Sequence, residues 1–186
     1  MAATPTKQSA KEMEQIKSYP APQELATPTD LTPEEAGQVV DTVNTLVADA
    51  FALFVKTKSF HWHVASSHYR DYHLLFEEQA QSILDSIDPL AERLRRIGGL
   101  TIRSVGHIGQ LQSIEDQNRD FVPPDEMIEE LLRDNSQMAR QMRDAIDICE
   151  ENRDTPTANL LQELLDQTEK RIWFLHEVST GGKNQY

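Results

Sequence analysis

Cysteine is nearly missing from this sequence: Cys149 is the single one among 186 residues, so no disulfide can form within the chain. A reducing, cytoplasmic setting is the expectation that follows. Glycine is scarce too, at seven residues, and no run rich in Val, Ile and Thr lies between turn signals, which leaves helix as the default. No unbroken run of about 18 apolar residues is present, so no membrane span is expected, and MAATPTKQSAKEMEQ at the start lacks the apolar stretch of a secretory signal. Positive charge is short as well, with 18 Lys and Arg against 31 Asp and Glu and a formal net charge of −13. Phosphate binding depends on Lys and Arg, so this balance argues against a generic nucleic-acid-binding body and suits cations better. A solvated acidic surface is the plain alternative for the same charge.

What is present is helical periodicity. Residues 1–31, rich in Ala, Pro, Thr and Gln, read as a flexible tail outside the core, and 182–186 as a second short tail. Between them, 32–181 reads as one domain. Thr32, Pro33 and Glu35 form a helix start with a capping box, and the helix is expected to stop near Val64. Its Val39, Val43, Leu46, Val47, Ala50, Phe51 and Phe54 recur at steps of three and four, making an apolar stripe. A second helix is expected from about His68 to Ile97, with Tyr69, Tyr72, Phe76, Ala80, Ile83, Ile87 and Leu94 on its stripe and Gly98-Gly99 ending it. Leu100 to Val122 reads as a long crossover with a short extra helix in SVGHIGQLQ. Pro123-Pro124 and Thr155-Pro156 open the third and fourth helices. The expected fold class is therefore all-α: a ferritin-like four-helix bundle with a long crossover between helices two and three.

The second helix also carries a ladder of potential ligands. His73 and Glu77 are four apart, as are Asp88 and Glu92, so each pair shares a face. The eleven residues from Glu77 to Asp88 span roughly 16 Å of helix at the usual rise, whereas paired metal ions sit about 3.5–4 Å apart. One chain cannot close such a site, but two antiparallel copies can. Residues 73 and 92, and residues 77 and 88, share the midpoint 82.5. Two-fold pairing there sets His73 and Glu77 of one chain opposite Glu92 and Asp88 of its mate, twice over. His61 continues the stripe of the first helix and could add a ligand, while His63, rotated by roughly 200°, cannot face the same way. Imidazole with carboxylate suits iron, manganese or zinc, with iron leading. The plain alternative pairs Glu92 with Arg95 or Arg96 along the helix. A di-iron site inside one bundle is disfavoured, because no histidine has a glutamate three positions before it.

His61-Trp62, His73 twelve positions on, and Asp88-x-x-Ala-Glu92-Arg93 followed by Gly98-Gly99 resemble the Dps mini-ferritins, the DNA-protection-during-starvation family, over about residues 32–181. The resemblance implies a hollow homo-oligomer, a dodecamer, that oxidises ferrous iron with hydrogen peroxide in preference to oxygen and stores the ferric mineral. It implies His61, His73 and Glu77 from one subunit with Asp88 and Glu92 from the mate, Glu92 as the bridging carboxylate, and zinc or manganese as competitors. Position 77 is commonly Asp in that family and is Glu here, which puts the second iron position in question. By the same resemblance Trp62 would be an electron source near the site. DNA binding is possible but not favoured: Lys7, Lys11 and Lys17 are balanced by Glu12, Glu14, Glu24 and Asp30 in the tail. A DNA-compacting protein of the nucleoid with a vestigial iron site is the alternative function.

Overall fold

The computed structural model describes residues 18–181, as five α-helices preceded by a single 3-10 turn at Gln23–Leu25, with no strand among them. Helix α1 (Pro33–His63) starts on the expected box: Glu35 N–H donates to Thr32 Oγ1 at 3.3 Å, and Thr32 N–H donates to Glu35 Oε2 at 2.7 Å. These two bonds satisfy donors that a helix start leaves open. The backbone bond from Thr32 also holds the Glu35 carboxyl below its ordinary pKa. Val64 turns extended and ends α1.

Helix α2 (Tyr69–Arg96) runs back along α1 and passes through Pro89 without a break, although Pro89 cannot donate to the carbonyl four residues earlier. At its end Gly98 adopts φ 84°, and a Cβ on Gly99 would lie 2.4 Å from Val40 Cγ2. The paired glycines thus serve a left-handed turn and a close approach to α1 respectively.

The crossover holds helix α3 (Val105–Leu111), started by the Ser104 side chain on His107 N–H. It is pinned to α1 by buried Asp49, whose carboxylate accepts from Ser113 N–H, Ser113 Oγ and Ile114 N–H. Helices α4 (Pro124–Glu151) and α5 (Thr155–Gly181) complete the bundle. Asp154 caps α5 through Thr157 and also receives Arg93 of α2 at 2.6 Å.

The core is built from the expected stripes: Val39, Val43, Leu46, Phe76, Ile83, Leu90, Leu131, Met138, Met142, Leu161 and Leu175 are all buried in one cluster. By length and composition α1 is the one described helix apolar enough to cross a membrane. Its Val40, Val47 and Leu53 face the bundle core instead, which accounts for that hydropathy.

Polar links cross the interior. Lys56 of α1 donates to Asp134 of α4 at 2.5 Å, with both side chains buried. Arg171 of α5 donates to Asn135, Ser82 and Thr168, with no carboxylate among its described partners, and burial pushes its pKa down to about 10.

Residues 18–31 do not behave as a tail free of the body. Ser18 is buried, its carbonyl accepts from Leu100 N–H at 2.7 Å, and Ala21 N–H donates to the Gly98 carbonyl. Arg95 donates to the Leu25 carbonyl, and Tyr19 packs against the core cluster. Backbone pairing and one aromatic anchor hold this stretch, which hydrophobic periodicity does not register. The remainder of the expected tail, and 182–186, lie outside the described residues.

Candidate metal centre

The last turn of α1 and the first turns of α2 bring three of the expected ligands together. His61 Nδ1 lies 2.8 Å from the His73 carbonyl oxygen, and His73 Nδ1 lies 2.9 Å from the His61 carbonyl oxygen. A carbonyl only accepts, so each Nδ1 carries a proton, and in the neutral imidazole each Nε2 is the nitrogen with a free lone pair. Imidazoles that bind metals are commonly oriented in this way, through the ring nitrogen that does not bind. The two rings stack, with centroids 3.8 Å apart and planes 25° apart.

His61 Nε2 is 3.2 Å from Glu77 Oε2. In the neutral imidazole those are two acceptors in contact, an arrangement that a cation between or beside them stabilises. Lys58 now supplies one such cation, since its ammonium donates to Glu77 Oε2. That hydrogen bond, opposed by desolvation and helped by the charges of Lys58, His61 and His73, holds the Glu77 carboxyl below the ordinary carboxylate value.

Asp88 and Glu92 stand apart from this trio. Both are exposed, and Glu92 Oε2 accepts from Arg96 at 2.8 Å, the pairing that the plain reading of the helix gives. Among the described residues no three His, Cys, Asp or Glu side chains form a group able to hold a metal ion. Beside Asp88 an apolar groove of about 600 Å³ is lined by Val47, Phe51, Leu84, Ile87, Pro89 and Ile102.

The other sequence candidates fall outside the trio. His63 is exposed and donates Nδ1 to the Ser59 carbonyl at 2.7 Å, as its rotation from His61 requires. His68 caps α2 and meets Tyr72 edge-on. Trp62 is 63% exposed.

Two residues of the site were not singled out in the sequence. Lys58 sits three positions before His61 on the same helix face, a spacing that could have flagged it. Tyr69, expected on the buried stripe, is instead 47% exposed and stacks on His73.

Four long helices with a crossover helix, carrying paired imidazole and carboxylate at one end of a helical hairpin, define a ferritin-like protein. The family model described as ferritin-like domain matches residues 40–181. The chain is 34% identical, over 81% of its length and 85% of the relative's, to an uncharacterized low temperature-induced protein of Nostoc. It is 29% identical to DNA protection during starvation protein 2 of Bacillus anthracis, covering 74% of this chain and 94% of that one. The solved structure of Dps from Thermosynechococcus elongatus superposes with a TM-score of 0.76 at 28% identity, over 78% of this chain and 92% of that one. DpsC from Streptomyces coelicolor gives 0.78 at 26% identity, over 81% and 88%. The chain belongs to the Dps family of mini-ferritins.

Proposed function

We propose that this chain oxidises ferrous iron at sites shared by two copies of itself, and stores the ferric product inside a hollow homo-oligomer, a dodecamer, in the cytoplasm. His61, His73 and Glu77 of one subunit face Asp88 and Glu92 of the partner subunit, with Glu92 bridging. The observation that carries this reading is the reciprocal bonding of His61 and His73 through Nδ1, which orients both rings and sets His61 Nε2 at 3.2 Å from the Glu77 carboxylate. The shared midpoint of the four positions on α2, and the apolar groove beside Asp88, support completion by a second copy.

Two ferrous ions each yield one electron to hydrogen peroxide, giving two ferric ions and two hydroxides without free hydroxyl radical. Oxygen is the slower alternative oxidant. The protein's part is to supply ligands and proximity. Zinc and manganese fit the same donors and compete for them. The test is anaerobic ferrous loading followed by peroxide, comparing the wild type with a His73→Ala, Glu92→Ala double variant. Oxidation that is fast in the wild type and lost in the variant is expected, and equal rates in the two would sink the site.

A further inference from the structure

Three arginines follow Glu92 within four positions, and each finds a different kind of acceptor. Arg93 donates to Asp154 at 2.6 Å and to Thr157 at 2.7 Å, so a carboxylate at the start of α5 holds it. Arg96 pairs with Glu92 itself. Arg95 meets no carboxylate among its described partners. Its guanidinium donates instead to two main-chain carbonyls, that of Gly99 and, at 2.7 Å, that of Leu25. A carboxylate is the stronger acceptor for a guanidinium, so this choice needs a cause.

On a helix a side chain meets those three and four positions away, which for Arg95 are Ala91, Glu92, Gly98 and Gly99. Glu92 is the one carboxylate of α2 within that reach. What draws the guanidinium the other way is the segment ahead of α1. Leu25 closes the 3-10 turn, and the chain before it is fixed to the end of α2 by its backbone. Leu100 N–H donates to the Ser18 carbonyl at 2.7 Å, Ala21 N–H donates to the Gly98 carbonyl at 3.2 Å, and the Tyr19 ring lies against Gly37 and Gly98. All of these contacts are made within one chain, so none depends on what covers α2 in an assembly.

We propose that residues 18–31 form a strap that holds Arg95 away from Glu92, so that docking of the strap and binding of a divalent cation at Glu92 favour each other. The inference rests on the iron-oxidising reading above, in which Glu92 is the bridging ligand. With the strap docked, Glu92 has a single competing guanidinium, that of Arg96. With the strap released, Arg95 turns onto the same carboxylate, and an incoming ion must displace two cations. Arg95 is thus a positioning residue, touching neither the metal nor the oxidant. The coupling is reciprocal: the factor by which docking improves metal affinity is the factor by which metal favours docking. A solvent-accessible ion pair sets its size, at about two- to fivefold.

The experiment uses the full chain, with cobalt under anaerobic conditions as the metal probe. Exchange of the Leu100 amide hydrogen reports docking, because that N–H is bonded to the Ser18 carbonyl. Two variants loosen the strap: Ala21→Pro removes its bond to Gly98, and Tyr19→Ala removes its aromatic anchor. Each should weaken cobalt binding by about two- to fivefold, and the loss should vanish when Arg95→Met is added. Cobalt should in turn slow exchange at Leu100 in the wild type and leave it unchanged in Arg95→Met. A loss of equal size with and without Arg95, or exchange at Leu100 indifferent to cobalt in the wild type, overturns the proposal. Ala21→Pro and the wild-type exchange measurement decide the matter even where Tyr19→Ala proves unstable, since both leave the core side chains in place. Cobalt binding that depends on Glu92 but shows no coupling through Arg95 overturns this inference alone. Cobalt binding unchanged by Glu92→Ala overturns it together with the placement of Glu92 in the iron site.

Discussion

His61 and His73 hold each other by the main chain, each Nδ1 donating to the other's backbone carbonyl at 2.8 and 2.9 Å. The eleven residues between them therefore close a small ring of constraint around the α1–α2 turn, and each imidazole orients the other. Loss of one partner removes a ligand and also releases the remaining ring. Removing an orienting group alone typically costs about 10–100-fold in metal affinity, so His73→Ala should lower cobalt or ferrous affinity by at least about 100-fold in an anaerobic titration. His63→Ala should change it by less than about threefold, because His63 bonds to Ser59 on another face. Equal losses in the two variants would refute the assignment.

Lys58 and Glu77 make the second prediction. The ammonium competes with any metal for the carboxylate, so Lys58→Met should tighten binding of the second ion per site, read as a steeper second step in the same titration. It also has a pH signature. The Glu77 carboxyl lies below its ordinary value, chiefly through the Lys58 hydrogen bond. It stays ionised to lower pH in the folded chain than in the unfolded one. Its stabilising contribution is present above the unfolded value and is lost as pH falls through the folded one. Without Lys58 the folded value rises, so acid loss of the second ion should begin at higher pH in Lys58→Met. An unchanged acid limb would remove Lys58 from the account.

Most of the bundle was legible because burial and helical period agree. Thr32, Pro33 and Glu35 announced α1, and Gly98-Gly99 announced the end of α2, each through a local requirement that a short stretch of sequence carries. The proximity of His61 and His73 is legible from their spacing across the expected α1–α2 turn. Their reciprocal bonding is not, since it depends on how tightly five residues turn between two helices. Beyond its spacing from His61, Lys58 carries no signal in the sequence, because a lysine on a helix usually reads as solvated surface. The apolar period of α2 extends one turn further than its buried face, onto Tyr69, which leaves the core at the helix start. The attachment of residues 18–31 runs through backbone hydrogen bonds and one tyrosine, and composition is blind to both.

The buried pair of Lys56 and Asp134 ties α1 to α4 through side chains that make no recorded bond to His61, His73 or Glu77. Removing one partner of a buried pair strands the other charge, at a cost of about 3–5 kcal/mol. Asp134→Ala should therefore lower the urea midpoint markedly and leave ligand geometry at His61 and His73 intact. Lys56→Met with Asp134→Leu should recover much of the loss. A double variant as unstable as the single one would show that the pair contributes more than charge neutralisation.

Relatives bear names that refer to DNA protection, and the charge of this chain makes a direct expectation. At −13 per chain, phosphate neutralisation has few cations to draw on. No retardation of duplex DNA is expected in a gel shift at low salt, where electrostatic binding is strongest. A shift that disappears on adding salt, and on removing 1–31, would locate a DNA-binding element in the tail.

The division of ligands between two chains can be tested without a structure of the assembly. His73→Ala and Glu92→Ala each disable every site in a homodimer, but by removing opposite halves. When the two variants are co-assembled, one site of each mixed dimer collects both lesions and the other collects neither. Random pairing makes half of the dimers mixed, so about a quarter of all sites should be intact. Ferrous oxidation by peroxide should then recover to roughly a quarter of the wild-type rate on co-refolding two inactive proteins. A site built within one chain predicts no recovery at any mixing ratio, because every chain carries a lesion in its own site. Recovery that follows the product of the two variants' fractions, with its maximum at equal amounts, would assign His73 and Glu92 to opposite sides of one interface.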